Sequence, residues 1–427
     1  MPALQTGAAV QRMCPPSSRT ASLSGPPGVA ARQDGAMILD IFAELQRPGP
    51  RSPGFEQRLF ADCVEQAVLA DELGFGCWWA VEHHGSPDFS YSSAPDMMLT
   101  VISQHTERIR LGHAGVLAPF AINHPMRVAE RAAFLDNISG GRMELGLARS
   151  VPREWQAFGS NSEATREEVR EALQMIPRMW GDGPFSWQSE HIQIPEREVV
   201  PKPLQQPHPP LWVTAASPES FEAAGASGVG VLGTVMLSPM ENMGTLLDHY
   251  RSGLERVQPV GETVNPQAAF FAFVHCAETT DEAIANRAGE AVLWFMNAQP
   301  GFFGIERKRW IETIRSDLPL WTNMDSYIEP GQDQEAGDID DPVPVIRLMN
   351  RLYAGLELDP VEVYEALLPI DSVIIGDVET CRRKLARYSD LGVDRLMCLM
   401  QMGELDHRAA LQSIRTVGKQ LVPGLAA

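Results

Sequence analysis

Ala70-Asp71-Glu72-Leu73-Gly74-Phe75-Gly76-Cys77-Trp78-Trp79-Ala80-Val81-Glu82-His83-His84 holds the end of one helix, the whole of one strand and a charged run directly behind it. Upstream, Phe60, Val64, Ala67, Val68 and Leu73 recur at helical spacing. Gly74 is a natural stop, because glycine enters the left-handed conformation without steric cost. Cys77 to Val81 is short and apolar, as a buried strand is. A helix, a strand and then polar chemistry is the order of a βαβ protein, whose reactive groups collect at the carboxyl ends of the strands.

The same alternation extends in both directions. Ile38 to Phe42 precedes the helix as a first strand, and Ile109 to Gly112 opens a third. Further strands are expected at Met143–Leu147, Leu211–Thr214, Val229–Val235, Phe270–His275 and Arg395–Met400. A helix runs from Pro95 to about Thr106. Another begins at Pro125 with Asn123 able to cap it, and ends before Ser139-Gly140-Gly141; Ser217 can cap a third. Eight strands alternating with helices favour a closed (β/α)8 TIM barrel over an open doubly wound sheet. Residues 181–209 form an insertion, expected as a surface hairpin and loop. Residues 298–345 form a less regular one, equally compatible with a lid and with a solvated acidic excursion. Residues 1–36 are rich in Ala, Gly, Pro and Ser and are expected to be a disordered extension, leaving 37–427 as one barrel domain.

Lys and Arg total 35 against 55 Asp and Glu, a net charge of −20. That surface disfavours nucleic acid and anionic membranes. The six cysteines contain no CxxC pair, which argues against a disulfide framework or a zinc site and suits a reducing cytoplasm. No apolar run reaches the ~18 residues of a membrane span.

Within Glu82-His83-His84, histidine is the side chain most easily tuned for proton transfer near neutrality. Neighbours on extended backbone point to opposite sides, so at most one of the two histidines is expected to face the barrel mouth. The alternative is a polar pair at a strand end. The spacing is not that of HExxH, no other histidines are spaced as ligands, and no metal is expected. Gly228-Val229-Gly230-Val231-Leu232-Gly233 matches GxGxxG but follows a helix and reads as a strand, the reverse of a dinucleotide fold. Ala215-Ala216-Ser217-Pro218-Glu219-Ser220 lies between a strand and its helix. Its free N–H groups and hydroxyls could hold a phosphate with Arg149 nearby, or form an ordinary cap beside a surface arginine. GxSxG is absent, so a hydrolase has no support.

Taken in order, these segments resemble the bacterial luciferase-like family of flavin monooxygenases. The likeness runs through Ala70–His84, Ser93-Ala94-Pro95-Asp96 and Arg108–Gly112. It continues through Asn123–Glu130, Leu135–Arg142, Pro201–Val213, Ala216–Ser220, Ile375-Gly376-Asp377 and Asp390–Asp394. The resemblance implies a TIM barrel, commonly a homodimer, that uses reduced FMN delivered by a separate NAD(P)H-flavin reductase. With O2, a C4a-(hydro)peroxyflavin then oxygenates a small organic substrate. By motif position it implies His83 as catalytic histidine, with Glu82 and His84 beside it. It implies Arg149, Ser217 and Ser220, with Ala216 next to them, as flavin-phosphate contacts. Ala114 and Gly115 match the segment beneath the flavin ring, and Ala148 a residue near its reactive edge. Trp78, Trp79, Phe89, Trp294, Phe295, Phe302 and Phe303 could line a dry pocket or belong to the barrel core, the core reading being stronger for Trp78 and Trp79. Three positions depart from the pattern. Ala216 replaces an acidic residue of luciferase itself, Ser150-Val151-Pro152 replaces a glycine-containing turn, and His113 ends the third strand. A coenzyme F420-dependent hydride-transfer enzyme and a non-catalytic flavin-binding subunit are the alternatives.

Overall fold

A computed structural model describes residues 37–233, 236–237, 239–316 and 335–425. The expectation for residues 1–36 and the middle of the 298–345 insertion lie outside the described residues.

The first half of the chain alternates as read. It runs β1 (Ile38–Ala43), α1 (Phe55–Leu73), β2 (Cys77–Ala80), α2 (Pro95–Ser103), β3 (Arg110–Leu117), α3 (Pro125–Ser139) and β4 (Met143–Ala148). Then come α4 (Pro152–Phe158), α5 (Thr165–Trp180) and an antiparallel hairpin, β5 (Phe185–Gln188) with β6 (Gln193–Arg197). β7 (Leu211–Ala215), α6 (Pro218–Ala226), β8 (Gly230–Gly233), α7 (Met240–Leu254) and β9 (Ala268–Ala277) follow. The last part carries α8 (Thr280–Ala285), α9 (Ala288–Phe303), α10 (Arg307–Arg315), α11 (Pro344–Tyr353) and α12 (Pro360–Leu367). It ends with β10 (Val373–Asp377), α13 (Val378–Leu391), β11 (Arg395–Leu399) and α14 (His407–Gln420).

Eight parallel strands close in the order β1-β2-β3-β4-β7-β8-β9-β11, a TIM-type barrel. β10 was not anticipated as a strand. It pairs with β9 from Phe273 to Ala277, beyond the stretch Ala268–Phe270 that pairs with β8, so the long β9 has two successive neighbours on one edge. Glycine and aspartate in Val373-Ile374-Ile375-Gly376-Asp377 mask its strand character, since both are poor strand formers.

Inside the barrel Trp79 packs edge-on against Trp212, ring centres 5.2 Å apart. Beneath them Arg395 grips Asp40 through two hydrogen bonds of 2.7 and 2.9 Å, and Trp79 Nε1 donates to the same carboxylate at 2.8 Å. Charges this deep persist only when paired. Trp79 is therefore barrel core; Trp78 is equally buried, on the opposite side of the strand, and does not join the phenylalanines at the mouth.

Several local expectations shift. α1 meets the sheet through Leu59, Cys63, Gln66, Ala67 and Ala70, while Phe60 stays 38% exposed. The two alanines let the helix lie close to the sheet, which turns the bulkier Phe60 to the rim. α2 stops at Ser103, and α3 is capped by His124, whose Nδ1 accepts from Met126 N at 3.2 Å, not by Asn123. The beginning of the 298–345 insertion is helical, completing α9 and forming α10. No described helix is long and apolar enough to cross a membrane.

Candidate active site

The residues after β2 leave the barrel at its carboxyl end, where His83 and His84 diverge as expected for adjacent extended positions. His84 Nε2 donates to Glu82 Oε1 at 3.0 Å, and its ring packs edge-on against Phe158. Glu82 is buried and also accepts from Leu117 N and from Asn123 Nδ2, both at 2.9 Å. Burial opposes its charge, but the bonds from His84, Asn123 and Leu117 hold the carboxyl below the usual range. Asn123, displaced from its expected cap, is thus an anchor for Glu82. Helical spacing gave no sign of this, because the contact joins segments 41 residues apart.

His83 lies between two carboxylates that sequence reading missed. Its Nε2 is 3.6 Å from Glu44 Oε2, just beyond β1, and its Nδ1 is 3.4 Å from Glu154 Oε1, on α4. Glu154 is fully buried and further held by His84 N at 2.9 Å and Ser150 Oγ at 2.5 Å. Burial works against charge on His83, yet Glu44, Glu154 and Glu82 together raise its pKa. Glu154 is pulled down by His83, Ser150 and the His84 N–H against its own burial. Burial pushes Glu44 up to about 7, the His83 charge only partly opposing it. One face of the His83 ring meets Phe302 edge-on at 4.5 Å, and Phe89 stacks on Phe302 at 4.4 Å. Of the aromatic residues suggested for a dry pocket, Phe89, Phe295 and Phe302 form a continuous apolar wall beside His83.

The bed of the mouth is made of small side chains. β3 slips register against β4 between His113 and Val116, and the Ala114–Gly115 peptide there is cis. A Cβ on Gly115 would lie 2.8 Å from the backbone of Gly146 and Leu147, so this position accepts only glycine without movement. Ala114, within β3 at the register slip, and Ala148, the last residue of β4, add little bulk. His113 is buried with Nδ1 lacking a hydrogen bond among the described residues, and burial lowers its pKa against the opposing pull of Asp96 and Glu82.

On the neighbouring strand ends, Ser217 and Ser220 form a reciprocal cap on α6. Ser220 Oγ accepts from Ser217 N at 3.0 Å and Ala216 N at 3.3 Å, and Ser217 Oγ accepts from Ser220 N at 3.3 Å. The expected N–H donors are therefore already engaged by serine oxygen. The Glu219 carboxylate at this helix end is held below its usual range by its own N–H and the Ser217 hydroxyl, with His249 and Arg166 adding charge. Glu219 thus places a side-chain anion at this helix N-terminus, and Arg166 is a nearby cation that the sequence did not single out. Arg149 leaves β4, which pairs with β7, placing it beside this cap. Its Nε donates to Thr165 Oγ1 at 2.8 Å, and its guanidinium lies 4.5 Å over Trp155. The following Ser150 has φ 70°. This is the left-handed region that favours glycine, which accounts for the glycine-containing turn expected there.

Residues 41–395 match the luciferase-like monooxygenase family. The chain is 29% identical over 250 residues to the oxygenase component of flavin-dependent trigonelline monooxygenase from Acinetobacter baylyi, covering 58% of this chain and 67% of that protein. It shares its fold with the oxygenating constituent of 3,6-diketocamphane monooxygenase of Pseudomonas putida, solved with FMN. There the TM-score is 0.66 at 20% identity, over 91% of this chain and 98% of that one. The fold also matches the coenzyme F420-dependent tetrahydromethanopterin reductase of Methanopyrus kandleri, with a TM-score of 0.61 at 18% identity over 91% and 99%. With the match spanning the barrel from β1 to β11, the chain belongs to the luciferase-like monooxygenase family.

Proposed function

We propose that this protein is the oxygenase of a two-component system, using reduced FMN from a separate NAD(P)H-flavin reductase and O2 to oxygenate a small organic substrate. The observation that carries this reading is His83, half-buried at the barrel mouth between Glu44 and Glu154, with the small residues Ala114, Gly115 and Ala148 on the two strands that follow β2. Reduced FMN, when bound, would supply the electrons that activate O2. The small residues would seat its ring, and Ser217, Ser220, Ala216 and Arg149 its phosphate. The FMN in the 3,6-diketocamphane structure supports FMN over F420, and the trigonelline relative's description as an oxygenase component supports a separate reductase.

The residues then divide the work. Phe89, Phe295 and Phe302 keep water from the reacting centre. His83 is the acid–base group, giving up a proton as oxygen is transferred and recovering it afterwards, with Glu154 steadying the imidazolium. Glu82, fixed by Asn123 and Leu117 N, orients His84. We assign the protein as a cytoplasmic homodimer. Met97, Val101 and Phe134 are exposed on α2 and α3, and Met97, Phe134 and Val200 border one cleft, an apolar surface suited to a second copy. The reading is tested by supplying NADH, a flavin reductase, FMN and a substrate panel. Oxygenated product that requires both FMN and O2 is expected; turnover with reduced F420 in the absence of O2 would overturn it.

A further inference from the structure

Glu44, the carboxylate beside His83 Nε2, also lines a cleft of about 260 Å³ that runs between α1 and the segment joining β11 to α14 and that none of the three phenylalanines borders. Its outer mouth carries exposed Arg47, Arg58, Glu404 and Asp406. Halfway in, His407 bridges Glu65 at 2.9 Å and Asp62 at 3.7 Å, and its Nδ1 faces Gln66 Nε2 at 3.1 Å. The inner end is formed by Glu44, Gln46 and Trp78, which are 5%, 1% and 1% exposed.

Three polar atoms at that inner end have no hydrogen bond among the described residues: Glu44 Oε2, Gln46 Nε2 and Trp78 Nε1. Gly403 N donates to Gln46 Oε1 at 3.1 Å, which fixes the amide so that Nε2 is the atom left over. Buried polar groups are rarely left unpaired, and a cleft of this size has ample room for the water that would satisfy them. Glu44 Oε2 is also the atom 3.6 Å from His83 Nε2. A single carboxylate therefore touches both the cleft and the imidazole.

We propose that the cleft is a proton port: water held in it carries protons between solvent and the Glu44 carboxylate, and Glu44 exchanges them with His83 Nε2. A proton entering protonates Glu44; Glu44 passes it to Nε2 and returns to carboxylate, and the reverse path discharges it. A bound flavin and substrate would close the barrel mouth, and Phe302 and Phe89 already cover His83 on that side, so a route through the cleft lets the histidine recover its proton without opening the dry pocket. The charged groups facing Glu44 are His83 and Glu154 from the barrel mouth, while Arg47, Arg58, Asp62, Glu404, Asp406 and His407 border the cleft. Burial places Glu44 near neutrality, where it can both accept and release a proton.

The proposal rests on His83 being the acid–base group of the function given above, but its test needs no flavin and no turnover. In protein labelled with 15N-histidine, the exchange of the His83 ring N–H with water is followed by NMR across pH. Cys63→Met and Leu59→Phe, two independent variants of cleft-lining residues that do not touch His83, fill the passage. Both are expected to slow exchange by about tenfold while leaving the His83 titration midpoint in place. Glu44→Gln keeps the shape of the side chain; it is expected to slow exchange and lower the midpoint by about one unit or more, with Glu44→Asp restoring part of each. Wild-type exchange rates in either folded cleft-filling variant, or in Glu44→Gln, would overturn the port. Oxygenation could fail with exchange intact, or exchange could fail with oxygenation intact, so the two readings fall separately.

Discussion

His83 Nδ1 lies 3.4 Å from Glu154 Oε1, a contact that joins the segment after β2 to α4. The same α4 carboxylate accepts from Ser150 Oγ, so the segment that presents Arg149 also holds the His83 imidazole. Glu154→Gln keeps the shape and removes the charge. The His83 midpoint is expected to fall by about one unit or more, and stability by about 3 kcal/mol, as for breaking a buried pair. NMR titration and urea unfolding measure the two effects.

The three groups also set a pH dependence. His83 is raised above its ordinary 6.5, so its contribution is complete below that value and is lost as pH rises through the raised one. Glu154 is lowered from 4.5, so its contribution is complete above 4.5 and is lost as pH falls through the depressed value. Glu44 is raised from 4.5 to about 7, so it opposes folding increasingly across that interval. At 1.36 kcal/mol per unit this last effect is about 3 kcal/mol at full strength. Urea midpoints are therefore expected to decline from pH 5 to 8 in the wild type and to decline less in Glu44→Gln. Parallel curves would refute the assignment.

Ser150→Gly relieves a left-handed serine, a gain of about 1 kcal/mol, and loses the bond to Glu154, a cost of similar size. Stability is expected to change little. The His83 midpoint should nevertheless shift, because Glu154 loses a donor that lowers its pKa. A change in melting temperature with no change in midpoint would contradict this.

Gly115→Ala places a methyl against the Gly146 and Leu147 backbone. The expected cost is about 1–3 kcal/mol from overpacking, together with weaker binding of reduced FMN. Unfolding curves and anaerobic titration check the two separately.

Phe134→Glu puts a charge on the exposed apolar surface of α2 and α3 while leaving the mouth untouched. Light scattering is expected to find a dimer in the wild type and a monomer in the variant. A wild-type monomer would refute the homodimer.

The barrel was legible because helix stops such as Gly74 and short apolar strands such as Cys77–Ala80 are local signals. Ser217 as a helix cap was legible for the same reason, though its reciprocal pairing with Ser220 was not. β10 escaped because Gly376 and Asp377 dilute its apolar run. Glu44, Glu154 and Arg166 escaped because each reaches the site from an element distant in sequence, and nothing in their own neighbourhoods distinguishes them from surface charges. Asn123 was assigned to the wrong partner, since a cap and a long-range anchor ask for the same side chain. The family resemblance pointed to His83, but nothing in the sequence pointed to the two carboxylates that flank it.

The most direct test of the account is incorporation of 18O from 18O2 into product, comparing wild type with His83→Asn, both supplied with reduced FMN and the substrate panel. The account predicts one labelled oxygen atom per product molecule from the wild type, and a yield lower by about 10²–10⁴ from His83→Asn, with reduced-FMN affinity unchanged. Equal labelled product from the two proteins, or product formed without O2, would contradict it.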